Sequence, residues 1–242
     1  KTKEIKKALN QFVVIFIKKQ NLNPESYQNF AKSIGQPVVY PRLKGLDEKF
    51  PFINVIERKP DDKNLSFGSS WLHQDTSYLA DDRPRYTMLM GIEIPKGQGN
   101  TIFSSGFNAY EKLPNEIKDK IKNATGIFSS AGPISVTRLE REKEMGIKSS
   151  ESMKAEHSIV KTVCGKKTLY VSPGHLMKIK NVKEEDADYL KNYLIEHVNK
   201  QEFIFSYEWS KGDICLWDNL SILHMASEIK NCKRIMHRIT IK

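Results

Sequence analysis

The C-terminal segment RIMHRITI, residues 234–241, restricts the architecture more than any other stretch. Successive side chains of a strand point to opposite sides, so alternation puts Arg234, Met236, Arg238 and Thr240 on one face and Ile235, His237, Ile239 and Ile241 on the other. The first carries two guanidinium groups beside a methionine, which fits a face that meets an anion, because arginine presents a planar fork matched to carboxylate or sulfonate. The competing reading is an edge strand with two solvated arginines.

Other short apolar, β-branched or aromatic runs read as strands: 12–17 (FVVIFI), 37–40, 51–56, 86–94, a strand opening at Thr101, a hairpin of 157–163 and 167–171 around Gly165, then 203–208 and 213–217. Helices are fewer. Asn23 and Pro24 suit an N-cap and first helical position, opening a helix through Tyr27, Phe30, Ala31 and Ile34 that Gly35 ends. Residues 107–123 read as helix broken at Pro114, and 184–198 carries an apolar stripe of Ala187, Leu190, Tyr193 or Leu194, and Val198. The polar stretch 57–70 is expected to be a surface loop, and 129–157, with little periodicity, a mobile excursion or lid. Strands outnumber helices and no repeat is visible. The pattern predicts a mainly β fold with flanking helices, a β sandwich or a jelly roll (double-stranded β-helix), as one domain over residues 1–242.

Composition narrows the function classes. With 39% hydrophobic and 10% aromatic residues the chain can bury a core, and no apolar run approaches a membrane span. The formal net charge of +10 invites a nucleic-acid reading. Its lysines, however, are scattered among acidic residues, as in 116–122 and 183–191, which describes a solvated basic surface with a modest preference for small anions. Three cysteines, Cys164, Cys215 and Cys232, show no paired spacing, and no signal-peptide pattern is visible, so a reducing, cytoplasmic setting is expected. Lys1 in place of Met points to a short missing leader or tag.

The chemistry starts from WLHQDT at 71–76. If the backbone there is extended, His73 and Asp75 share a face and offer one imidazole and one carboxylate. Ferrous iron is well matched by two imidazoles and a carboxylate on one side, leaving the opposite side for co-substrate and oxygen. Of the other histidines, His197 reads as a packing or surface residue, His157 has no evident chemical role, and His175, after Ser-Pro-Gly, is a loop residue that could line a pocket. His224 and His237 remain as candidates for the second imidazole; His224 follows an apolar stretch that should carry it inside.

A histidine followed by arginines ten and fourteen positions later resembles the taurine/2,4-dichlorophenoxyacetate dioxygenase family. The likeness runs through WLHQDTSYL, GQGNTIF, AYEKLP, KKTLYVSPGH and GDICLWDNLSILH to RIMHRITI. It implies an enzyme dependent on Fe(II), with 2-oxoglutarate and O2 as co-substrates, that releases succinate and carbon dioxide while hydroxylating a small anionic substrate. His73, Asp75 and His224 match the family's iron ligands. Thr101 and Arg234 match the residues that hold the distal carboxylate of 2-oxoglutarate, Arg238 the arginine near the substrate's anionic group, and Trp217 an aromatic residue close to the metal. Tyr40 and Ser69 fall at substrate-side positions. Pro37 stands where taurine dioxygenases carry a sulfonate-gripping histidine, which argues against taurine itself.

Two other readings share the scaffold. A jelly-roll binding protein without catalysis would not need the ligand set and both arginines. A nucleic-acid oxygenase would need a concentrated cationic groove with stacking aromatics, which the sequence lacks. The expected partner is therefore a small anion, with no nucleic acid and no membrane; a homo-oligomer is compatible with the sequence.

Overall fold

The computed structural model describes residues 2–40, 43, 45–62, 68–81, 83–135, 139 and 152–242. Its largest sheet has the strand order β1 (Val14–Ile17), β12 (Ile214–Asp218), β4 (Tyr86–Glu93), β14 (Arg234–Ile241) and β2 (Pro37–Val38), with β3 (Asn54–Arg58) also paired to β14. A smaller sheet runs β11 (Ile204–Tyr207), β5 (Thr101–Ser105), β13 (Ile222–Ala226). Every pairing is antiparallel. This is a jelly roll.

Alternation decides what each face of the large sheet meets. Met88, Met90, Ile214, Leu216, Ile239 and Ile241 form one core with Leu9 of α1 (Thr2–Phe12) and Tyr27, Ala31 and Ile34 of α2 (Pro24–Ile34). The interleaved residues Leu89, Cys215, Trp217 and Met236 pack on Phe103 and Ile222 of the small sheet. β12 is thus covered on both sides, which explains why all five of its residues are buried. A third core surrounds β6 (Thr125–Ser129), β7 (Lys154–Ser158), β9 (Lys166–Leu169) and β10 (Leu176–Lys180), closed by α3 (Gly106–Glu111), α4 (Asn115–Ile121) and α5 (Ala187–Val198). β8 (Val160–Val163) completes the hairpin with β9.

Several local readings hold. The Asn23 side chain accepts the Ser26 amide at 2.8 Å, a cap that stabilises a helix by ~1 kcal/mol, and the Tyr27 hydroxyl reaches the carbonyls of Met88 and His237, fixing α2 on the sheet. Pro114 caps α4, and Leu190, Leu194 and Val198 are buried on α5.

Others are corrected. Phe12 ends a helix rather than starting a strand: Ile5 and Leu9 turn the lysine-rich N-terminus onto the core, and β1 opens only at Val14. Residues 57 and 58 belong to β3, and Ser69 is buried rather than on the surface; residues 63–67 lie outside the described residues. Of the expected excursion, Ser129 lies in β6 and 154–157 in β7, while 136–138 and 140–151 lie outside the described residues. Among the described residues no helix is long and apolar enough to cross a membrane.

Candidate active site

The candidate site lies between the two sheets. His224 is carried by β13, and His73 pairs with it as an antiparallel bridge, each amide donating to the other's carbonyl at 3.0 and 2.9 Å. Backbone pairing therefore fixes the two imidazoles side by side, ring centroids 4.4 Å apart. Asp75 does not continue an extended strand, as the sequence suggested. It stands at the start of a turn, next to Thr76 at φ +52°, and still meets both histidines: Asp75 Oδ1 is 3.8 Å from His73 Nε2 and 3.8 Å from His224 Nε2. One ligand atom from each of the three lies within 4.8 Å of the others.

The protonation states suit a cation. His73 Nδ1 faces the Trp71 carbonyl at 3.0 Å, which assigns that nitrogen the proton and leaves the Nε2 lone pair facing Asp75. Burial lowers the pKa of His73, and it pushes His224 down to about 3 with the help of neighbouring His73. For Asp75, burial acts to raise the carboxyl pKa, but Arg238, His224, His73 and the Thr87 hydroxyl outweigh it and hold the group well below the usual range. Two neutral imidazoles and one carboxylate are the donor set Fe(II) takes.

Both arginines are buried on the central strand β14, which excludes the edge-strand reading. With His73, His224, Thr101 and Trp217 they line one cleft that opens to solvent. Their surroundings differ. Arg238 lies 3.6 Å from Asp75 Oδ1 and over the Tyr40 ring at 4.3 Å; burial works against its charge, and Asp75 and Tyr40 more than compensate. Arg234 has no such counterweight: burial alone acts on it, pulling its pKa down to about 10, and its Nε lacks a hydrogen-bond partner among the described residues. A buried cation in that state is complementary to an incoming carboxylate.

Thr101 fits the same role. Its Oγ1 accepts the Trp209 indole N–H at 2.9 Å, so the hydroxyl proton is left to be donated into the cleft. Gly99, at φ +73°, packs against Arg234; a Cβ there would come within 2.8 Å of the Arg234 Cδ. Arg234, Thr101 and Gly99 thus put a buried cation and a hydroxyl side by side, a pair whose chemistry suits a carboxylate.

The structure brings His73, Asp75, His224, Thr101, Arg234 and Arg238 together, with Tyr40 beneath Arg238 and Trp217 as a wall. Ser69 is buried beside the cleft-lining Gly68 but does not itself line the cleft. Pro37 is a strand residue opposite Ile241. The remaining histidines take structural places. His237 is on the other face of β14, His197 Nε2 reaches the Ala109 carbonyl at 2.8 Å, and His157 Nε2 the Leu79 carbonyl at 2.9 Å.

Sequence reasoning missed Thr87, Trp209 and Asn219, which touch or support site residues from other strands and turns. It also undervalued His175, which is buried edge-on to His73 with its Nδ1 against the hydroxyls of Ser77 and Ser172. The Ser-Pro-Gly before His175 marks a turn, and Gly174 of that turn packs against His73.

A jelly roll holding two imidazoles and a carboxylate beside a cleft, with two buried arginines next to them, has the make-up of the mononuclear non-haem iron oxygenases. Residues 1–240 match the Taurine catabolism dioxygenase TauD, TfdA family, and the chain belongs to it. It is an Fe(II)- and 2-oxoglutarate-dependent dioxygenase, with O2 as the other co-substrate. The chain is 30% identical to an alkylsulfatase of Acinetobacter baylyi, over 97% of its own length and 74% of that protein. It is 28% identical to an alpha-ketoglutarate-dependent sulfate ester dioxygenase of Pseudomonas putida, over 98% and 79%. A solved taurine dioxygenase from Burkholderia xenovorans superimposes with a TM-score of 0.79 at 24% identity, over 99% of this chain and 80% of that one, and shares the fold.

Proposed function

We propose that the enzyme hydroxylates a small organic anion, with alkyl sulfate esters the first candidates, and releases succinate and carbon dioxide. His73, Asp75 and His224 would hold Fe(II). Arg234 and Thr101 would bind the distal carboxylate of 2-oxoglutarate, and Arg238, steadied by Tyr40, the anionic group of the substrate. The observation that carries this reading is the shared cleft: the three ligand atoms lie together, and two buried arginines with different surroundings open beside them.

When bound, the metal with 2-oxoglutarate and O2 supplies the oxidising chemistry, which inserts one oxygen atom into a C–H bond of the substrate and the other into succinate. The protein's own residues orient and enclose. Arg234 and Thr101 set the oxo acid's direction from one end, Arg238 anchors the substrate from the other, and Trp217, Leu89 and Met236 form an apolar wall that keeps water out. For a sulfate ester, hydroxylation of the carbon bearing the ester oxygen gives a species that collapses to an aldehyde and sulfate.

The sulfate-ester preference rests on the two relatives named above. A protein named as an alpha-ketoglutarate-dependent 2,4-dichlorophenoxyacetate dioxygenase from Cupriavidus pinatubonensis stands at 21%. Pro37 pairs with Ile241 and is not among the cleft-lining residues, and Arg238 is the principal anion anchor. The test is a screen of alkyl sulfates, alkyl sulfonates and aryloxy acids under Fe(II), 2-oxoglutarate and air, scored by succinate and by inorganic sulfate, sulfite or phenol. Succinate released in equal amount with sulfate from an alkyl sulfate supports the proposal; turnover of aryloxy acids alone contradicts the substrate class.

A further inference from the structure

The second oxygen of Asp75 ends a chain of hydrogen bonds whose direction is fixed along its whole length. The Trp217 indole donates from Nε1 to Asn219 Oδ1 at 2.8 Å, Asn219 Nδ2 donates to Thr87 Oγ1 at 2.9 Å, and Thr87 donates to Asp75 Oδ2 at 2.7 Å. All four residues are buried. An indole can only donate, so Asn219 must turn its oxygen toward Trp217 and its amide nitrogen toward Thr87. Thr87 Oγ1 then accepts from Asn219, and its single proton is committed to the carboxylate. No alternative rotor or amide flip keeps all three bonds.

The positions of these residues link parts of the fold that must agree. Thr87 and Trp217 are register partners on β4 and β12. Asn219 sits in the turn between β12 and β13, the strand that carries His224, and the Trp217 and His224 rings lie 4.5 Å apart. Asp75 comes from a separate turn, joined to this framework through the His73–His224 bridge and through Thr87. With Oδ2 tied to Thr87, Oδ1 is the oxygen that faces both imidazoles.

We propose that Thr87 and Asn219 are positioning residues for the metal site: they lock the Asp75 carboxylate so that it presents one oxygen, leaving the rest of the coordination sphere for co-substrates. This rests on the assignment of His73, Asp75 and His224 as the iron ligands. Neither Thr87 nor Asn219 is a catalytic residue, because neither touches the reacting groups. Partners that orient a ligating carboxylate typically change metal affinity 10- to 100-fold when removed.

The experiment measures Mn(II) affinity by electron paramagnetic resonance, and under anaerobic conditions the visible charge-transfer band of the Fe(II)–2-oxoglutarate complex, on the full chain. Thr87→Val removes the hydroxyl at nearly constant shape; Thr87→Ser keeps it. Expected are a loss of roughly 10- to 100-fold in Mn(II) affinity and a displaced band for Thr87→Val, with Thr87→Ser restoring both. Asn219→Ala should produce the same displacement with a several-fold weaker loss, and it decides the matter if Thr87→Val does not fold. Affinity and band unchanged in the folded variants would overturn the proposal. Failure of the unsubstituted protein to bind either metal would overturn the ligand assignment instead.

Discussion

Arg234→Met removes a buried guanidinium while keeping a long apolar side chain, and its consequences follow from the burial of Arg234 and from its Nε having no hydrogen-bond partner among the described residues. Burial lowers the Arg234 pKa to about 10, which still leaves it charged at neutral pH. Against a carboxylate it would form a desolvated, charge-assisted pair, and truncating one side of such a pair costs ~2–5 kcal/mol. At about 1.4 kcal/mol per decade this is a rise of roughly 30- to 4,000-fold in the 2-oxoglutarate KM. Thr101, whose hydroxyl offers one neutral hydrogen bond worth ~1 kcal/mol, should cost only about 5-fold as Thr101→Val. The thermal midpoint of Arg234→Met should hold or rise without ligand, since an uncompensated buried cation is itself unfavourable. The assay is succinate production against 2-oxoglutarate concentration at saturating metal, with unfolding followed separately. A KM within a few-fold of the parent, or a collapse of stability, would refute the assignment of Arg234 to the 2-oxoglutarate carboxylate.

Arg238→Met should raise the KM for the primary substrate at least tenfold and leave that for 2-oxoglutarate within a few-fold, measured in the same assay; the reverse pattern means the two arginines have been given each other's roles. Gly99→Ala should selectively weaken 2-oxoglutarate, because the added carbon meets Arg234 at 2.8 Å, whereas Gly97→Ala, with open space around it, should cost only the ~1 kcal/mol of a left-handed backbone. Asp213 accepts the amides of Lys19 and Ser210 and the Tyr207 hydroxyl, so Asp213→Ala should lower stability by at least about 3 kcal/mol, at ~1–3 kcal/mol per stranded donor, read by urea unfolding. Burial acts to raise the Asp213 pKa, but the Lys19, Tyr207 and Ser210 hydrogen bonds leave it below the ordinary 3.8. Its ionisation-linked contribution is therefore fully present above pH 3.8 and lost as pH falls through the folded-state value; a parent-to-variant difference in urea midpoint that does not shrink below pH 3.8 contradicts the account.

The parts of the fold that could be read from the chain were those in which neighbouring residues carry the signal. The Asn23–Pro24 cap and the alternation of β14 are local patterns, and both faces of β14 came out as read. The helix at Thr2–Phe12 escaped because the FVVIFI run that follows is a stronger, strand-like signal and its boundary falls inside that run. Asp75 was paired with His73 for the wrong local reason: a turn, not strand alternation, brings its carboxylate round. Contacts such as Trp209 to Thr101, 108 positions apart, and Asn219 to Thr87, 132 apart, carry no local trace, since sheet pairing alone brings them together. The motif could therefore nominate the ligands and arginines but not the residues that hold them in place.

Anaerobic titration of the metal-free protein with Fe(II) in the presence of 2-oxoglutarate, repeated on His73→Ala, Asp75→Ala and His224→Ala, bears most directly on the site. The account predicts one ferrous ion per chain with a visible charge-transfer band, and neither tight binding nor the band in any of the three variants. An unaltered band in a variant, or a parent protein that takes up no iron, would contradict it.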